Sequence, residues 1–175
     1  MNLTSMLKVL FILFTFIVVL NASVFRKGTI TSGNIIQGQY ANGVIVKNNN
    51  DRQEILWQER QDNWKVYFSK IYEESGLVEN YIFDNICDKQ SRGSIKESIK
   101  RFVLNKLGKA NRCPIRKGTV KITYPMIFTF ETTKGDRCGP FITMIHIVEN
   151  NQNYSNKTPL LLTCIFRGFT IGDDC

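Results

Sequence analysis

The chain is poor in the residues that most chemistry needs. Its 175 residues include a single histidine, His146, and none of its five cysteines forms a Cys-x-x-Cys pair, so the ligand spacing of a zinc site is missing. No nucleophile elbow and no phosphate-binding loop occurs. A cysteine nucleophile would have only His146 as its base, and that residue lies in the apolar run "FITMIHIV", where it reads as a hydrogen-bonded core or rim residue. Glu73-Glu74, Asp84-Asn85 and the terminal Asp173-Asp174 offer carboxylates, but nothing in the spacing brings them together as glycosidase chemistry requires. These absences argue against an enzyme and against a bound metal or cofactor. Concentrated charge is lacking as well. The net charge is +8, but the cations are scattered from Arg26 to Lys121 without a stripe. That argues against nucleic acid as a partner and allows at most weak attraction to an anionic membrane surface or an acidic partner.

Long hydrophobic runs are absent except at the start. Lys8 precedes a run from Val9 to Leu20 that is apolar but for Thr15, and the small residues Ala22 and Ser23 follow. This is the plan of a secretory signal peptide, and the run is shorter than the ~20 residues of a membrane span. The alternative is an uncleaved signal anchor. Residues 1–23 are therefore expected to be a leader cleaved near Ala22 or Ser23, and 24–175 one exported, extracellular domain with a core. Loss of Lys8 leaves 22 basic and 15 acidic residues, a net +7.

Along an oxidising route the default fate of the cysteines is the disulfide. Cys87 and Cys113 flank the one convincing helix, and Cys138 and Cys164 lie on neighbouring strand candidates. Either pair would close a loop worth about 3.5 kcal/mol in the chain-entropy description. Cys175 is then the odd one: free, paired between chains, or replacing one of these partners. Sequence alone does not settle the connectivity.

Most of the chain alternates as strands do. Candidates are Thr29–Ile36, Asn42–Lys47, the segment from Trp64, Leu77–Ile86, Thr119–Thr132, Pro140–Glu149 and Leu160–Ile171, divided by turn-rich stretches. In the segment from Trp64, alternation puts Trp64, Val66 and Phe68 on one face. The exception is "SRGSIKESIKRFVLNKLG". Ser94 and Glu97 form a capping box, Ile95, Ile99, Phe102, Val103 and Leu107 recur at helical spacing, and Gly108 supplies the stop. One amphipathic helix of about 13 residues is expected to lie on an antiparallel β-sandwich or cup. Asn153 and Asn156 each begin an N-glycosylation sequon in a polar loop, and one of the two is expected to carry a glycan.

The order "NICDKQ", capped helix, "GKANRCPIRKGTVKI", "CGPFITMIHIV" and late "LLLTCIF" resembles the insect secreted CheA/CheB-type chemosensory proteins. These are relatives of the ganglioside-activator and ML-like lipid-recognition domains. The likeness covers roughly residues 77–171 and is most specific at Cys87, the helix, and Cys113-Pro114 with the following Lys-Gly. It implies a disulfide-tied β-cup, two antiparallel sheets splayed around an apolar cavity, that carries or presents a lipid or hydrophobic ligand without catalysis. Several members of the family are linked to contact pheromones. The chain has fewer cysteines than the ganglioside activator, so that protein's ligand does not carry over.

For a cup, some large apolar residues must line space rather than fill it. The candidates are Trp64, Phe68, Phe83, Phe128, Phe130, Phe141, Met144 and Phe166, around a cavity of several hundred Å3, as ligand sites typically have. The competing reading is a secreted protein-binding module, such as a receptor co-factor or a salivary or venom factor. It would have a closed core and an exposed patch, with the basic helix face at Lys96, Lys100 and Lys106 as the candidate. A small hydrolase using His146 is the third reading.

Overall fold

The computed structural model describes residues 3–20, 23–49, 52–133, 137–150, 159–173 and 175. A helix, α1 (Leu3–Leu20), comes first, with its side chains exposed from Ser5 to Leu13. Among the described residues nine strands follow: β1 (Ser23–Gln37), β2 (Val44–Asn49), β3 (Arg52–Trp57), β4 (Trp64–Tyr72), β5 (Val78–Phe83), β6 (Gly118–Ile122), β7 (Met126–Thr133), β8 (Gly139–Glu149) and β9 (Leu160–Gly172). Between β5 and β6 lies helix α2 (Ile95–Phe102), which runs on into a π-helical turn, Val103–Leu107. Together they give the thirteen helical residues that the apolar spacing predicts, with the last turns wound wider than an α-helix.

The strands form two antiparallel sheets, a six-stranded one in the order β5-β4-β8-β9-β1-β7 and a three-stranded one in the order β2-β3-β6. The period of two explains which faces are buried. On β4, Trp64, Val66, Lys70 and Tyr72 are buried, and their neighbours Phe83 and Glu79 on β5 face the same way. On β9, Cys164, Phe166 and Thr170 point inward and Ile165, Arg167 and Phe169 outward. Two differences from the sequence reading stand out. Thr119–Thr132 is not one strand but β6 and β7, which belong to different sheets and are separated at Tyr124-Pro125. β3 is an element that the sequence reading does not delimit. Its burial is regular only at Ile55 and Trp57, and polar Gln53 and Glu54 obscure the alternation.

One continuous core joins the small sheet, the large sheet and α2. Trp57 of β3 stacks on Trp64 of β4 at 4.7 Å between ring centroids, and its indole N–H donates to the Leu107 carbonyl at 2.8 Å. A single buried tryptophan therefore ties both sheets to the end of the helix. Gln53 stitches the other side, accepting from the Ile35 amide and donating to the Ile35 carbonyl.

Cys87 is bonded to Cys113, which closes the helical segment into a loop. The second bridge joins Cys138 to Cys175, and Cys164 is a buried free thiol. Cys164 is thus corrected as a bridge partner. The hairpin register is the reason: Gly139 lies opposite Thr170, whereas Cys164 lies opposite Ile145. Cys138 is therefore roughly 20 Å along the strand from Cys164 at the ~3.3 Å rise of a β-residue, but beside the chain terminus. Asn153 and Asn156 lie outside the described residues.

Candidate functional site

Helix α2 lies over the inner face of the large sheet, and the contact is mostly aromatic. Its first turn is fixed by the capping box. The Ser94 hydroxyl accepts from the Glu97 amide at 3.2 Å, and the Glu97 carboxylate accepts from the Gly93 amide at 2.9 Å. Lys100 ties the middle of the helix to the Cys87 and Asp88 carbonyls at 3.0 and 2.6 Å, and Lys96 donates to the Ile82 carbonyl. The lower end is buried at Phe102, Val103, Leu104 and Leu107. The upper end, carrying Ile95, Ser98 and Ile99, roofs a cleft whose floor is Ile30, Phe68, Phe128 and Phe130, with Lys70, Tyr72, Glu79 and Thr143 beneath.

Phe128 is the central ring of this cleft. It packs on Phe102 at 5.0 Å, Phe130 at 5.7 Å and Phe141 at 6.5 Å. It can lie flat across β1 because its pairing partner there is Gly28. A Cβ at that position would sit 2.3 Å from the ring. As the structure stands, the cleft encloses a cavity of about 30 Å3, room for a water or two and far below the several hundred Å3 expected of an open cup. Two open recesses flank the same first turn of α2. One, of about 310 Å3, shares Glu79 and Ile95 with the cleft, and the other, of about 450 Å3, shares Ser98 and Phe130. Both are bounded by Gly93 and Glu131. Residues of the turn from Gly93 to Ser98 line all three spaces, together with Phe130 and Glu131 of β7.

The floor holds an unusual set of buried polar groups. Lys70 is only 4% exposed. Its ammonium lies 4.1 Å from the Phe141 ring centre, 4.4 Å from that of Tyr72 and 4.6 Å from that of Phe130, an aromatic enclosure that stabilises a cation by its ring quadrupoles. Lys70 Nζ donates to Thr170 Oγ1 at 3.2 Å. Glu79, the buried acid nearby, is engaged elsewhere: Arg137 Nε donates to its Oε1 at 2.6 Å and the Tyr72 hydroxyl to its Oε2 at 3.3 Å. Among the described residues no carboxylate comes within 4.0 Å of Lys70 Nζ. Burial pushes Lys70 down to about 7, Glu79 opposes this, and Arg26 and Arg137 add to it. Burial, helped by the charge of Glu79, likewise holds the Tyr72 phenol well above its usual range. The strand alternation that put Trp64 and Phe68 inward places Lys70 inward as well. That signal was legible in "WKVYFSKIY", where Lys70 continues the phase of Trp64, Val66 and Phe68.

The sequence candidates divide. Phe68, Phe128 and Phe130 line the cleft, and Phe141 and Phe166 stand behind it, against Phe128 and Phe102 respectively. Trp64 is buried at the far end against Trp57, and Phe83 lies beneath Lys96. Met144 is corrected: it pairs with Ser69 and Ile165 on the outer face, with its back to the interior. The cleft residues missed are Ile30, Ile95, Ser98, Ile99, Phe102 and the polar floor. His146 is on the outer face, with Nδ1 3.0 Å from Thr163 Oγ1. The acids considered for paired chemistry are apart: Glu73 binds Arg167 and Asp84 binds Lys65.

Comparison with known proteins returns no match: no family model, no curated protein and no solved structure is significantly similar to this chain.

Proposed function

We propose that the exported chain is a non-enzymatic binder of a lipid or small hydrophobic ligand, held in the cleft between α2 and the large sheet. The observation that carries this reading is the apolar cleft with its two adjoining recesses, all three lined in part by the first turn of α2. With that turn raised, the three spaces would merge into a site of the size hydrophobic ligands need. The lower end of the helix is anchored in the core at Phe102, Val103, Leu104 and Leu107, so a rise of the first turn would cost the Lys96 bond to Ile82 and the packing of Ile95 and Ile99. The β-cup resemblance of residues 77–171 agrees with such a role, including one in chemosensation. Each methylene taken from water contributes about 0.8 kcal/mol, enough over a fatty chain to exceed the cost of moving a turn. The test is uptake of a neutral fluorescent hydrophobe, N-phenyl-1-naphthylamine, by the wild type and by Ser98→Phe. Saturable binding lost in a folded Ser98→Phe variant supports the cleft. Binding undisturbed by the plug, or no binding by the wild type, overturns it.

A second reading has its own observation. The outer face of the large sheet exposes Tyr67 on β4, Ile165 and Phe169 on β9 and Ile127 on β7, apolar residues of the kind a protein-binding face presents. It is a better candidate than the basic helix face, where Lys96 and Lys100 are already bonded to backbone carbonyls. Ile165→Lys with Phe169→Lys should abolish capture of a protein partner, and undiminished capture would exclude this face.

A further inference from the structure

A fully apolar ligand leaves one feature of the cleft without a purpose. Lys70 lies in the cleft, more than nine-tenths buried, and among the described residues no carboxylate is within 4.0 Å of its ammonium: Glu79, opposite it on β5, acts on it only from a distance and is bonded to Arg137 and Tyr72. Its ammonium has three donors, of which one goes to Thr170 and the others lie among the rings of Tyr72, Phe130 and Phe141. Burying a charge without a directly bonded counter-charge is costly. Substitution by methionine would keep the shape and remove the cost, so a lysine here suits a site that receives an anion from outside.

Resting on the reading of the cleft as a ligand site, we infer that the ligand is a single-chain amphiphile with a carboxylate head. The Lys70 ammonium receives that head on the cleft floor, and the chain lies along Phe68, Phe128, Phe130 and Ile99. The two carboxylate oxygens match the two ammonium protons that Thr170 does not take. Glu79 does not compete, because Arg137 and Tyr72 hold it. The lining above the floor, Ile30, Phe68, Phe128 and Phe130 with Ile95, Ile99 and Phe102 of α2, offers a chain nothing but carbon apart from Ser98. An alcohol, ester or hydrocarbon of the same length would leave the ammonium uncompensated.

The charged and titratable groups around the ammonium are Glu79 from β5, Arg26 from β1, Arg137 before β8, and Tyr72 from its own strand. β7 and β9 contribute Phe130 and Thr170, and α2 brings no charged group to the cleft. Because burial lowers Lys70 to about 7, an anion bound above that pH must bring a proton with it. Carboxylate affinity should therefore fall as pH rises from about 7, by up to about tenfold per unit, while alcohol affinity stays level.

The experiment is displacement of N-phenyl-1-naphthylamine from the full-length secreted protein by laurate, dodecanol and dodecyl phosphate, using wild type and Lys70→Met. Expected are laurate binding at least about tenfold tighter than dodecanol, the difference lost in Lys70→Met, and a laurate affinity that weakens between about pH 7 and about pH 8.5. Dodecanol equal to laurate in the wild type overturns the inference and leaves the cleft reading standing. Dodecyl phosphate binding tighter than laurate through Lys70 overturns the carboxylate assignment. Failure of the dye and all three amphiphiles to bind removes the cleft reading itself. If Lys70→Met does not fold, the wild-type preference and its pH profile decide alone.

Discussion

At the scale of the residue, Lys70 shapes both stability and specificity. Its unfolded value is about 10.4 and its folded value about 7, so between those limits the unfolded chain holds more protons than the folded one. Stability of the ligand-free protein should therefore rise with pH across that window, by at most about 1.4 kcal/mol per unit. Below about pH 7 both states are protonated and the full cost is present. Lys70→Met should then be the more stable protein at about pH 6 and lose that advantage progressively toward about pH 9, where unfolding in urea would show it. A gap that does not change with pH would mean that the ammonium is solvated. Cys164 makes a separate prediction. Because the bridge is Cys138–Cys175, Cys164→Ala should cost about 1 kcal/mol and leave both disulfides intact. Cys175→Ser opens a loop of 37 residues and should cost about 3–4 kcal/mol. Peptide mapping of the unreduced protein checks the pairing. The geometry that separates Cys138 from Cys164 was implicit in the sequence. A hairpin folding at the "ENNQNYSNKTP" loop sets Cys138 opposite Ile171, near the terminus, but that follows only once the register is known.

At the scale of the element, α2 was the most legible part of the chain, because a capping box, a 3.6-residue period and a terminal glycine all gave the same answer. What the pattern could not show is the change to π-helical winding at Val103, where packing of Val103, Leu104 and Leu107 against the sheets takes over from propensity. β3 and the break at Tyr124-Pro125 were hidden for the same kind of reason: which sheet a strand joins is a long-range outcome that local alternation does not contain. If the first turn of α2 is the gate, weakening its cap should act there. Ser94→Ala should cost about 1 kcal/mol and speed amide exchange from Ile95 to Ile99 more than in the π-turn. Equal acceleration throughout would mean that the helix opens as one unit. Gly28→Ala acts from the other side. It pushes the Phe128 ring toward α2, and overpacking of this kind costs about 1–3 kcal/mol. Thermal unfolding together with reduced dye binding would register it.

At the scale of the whole molecule, the mainly β, antiparallel, disulfide-tied architecture was readable from alternation and cysteine usage. The candidate site was readable only in part. Phe68, Phe128 and Phe130 were found because large aromatic residues on alternating strands announce an interior. Met144 was misplaced because one face of an apolar strand cannot be told from the other without its partners. The inward position of Lys70 was readable from the alternation two residues beyond Phe68, but the rings from three strands that enclose it are a long-range outcome. The space beneath α2 is small, so a ligand can enter only if α2 yields to it. Native mass spectrometry of the purified protein, followed by solvent extraction and lipid analysis, tests this most directly. One single-chain carboxylic lipid per protein molecule is expected. A protein that emerges empty and then takes up neither laurate nor the neutral dye would contradict it.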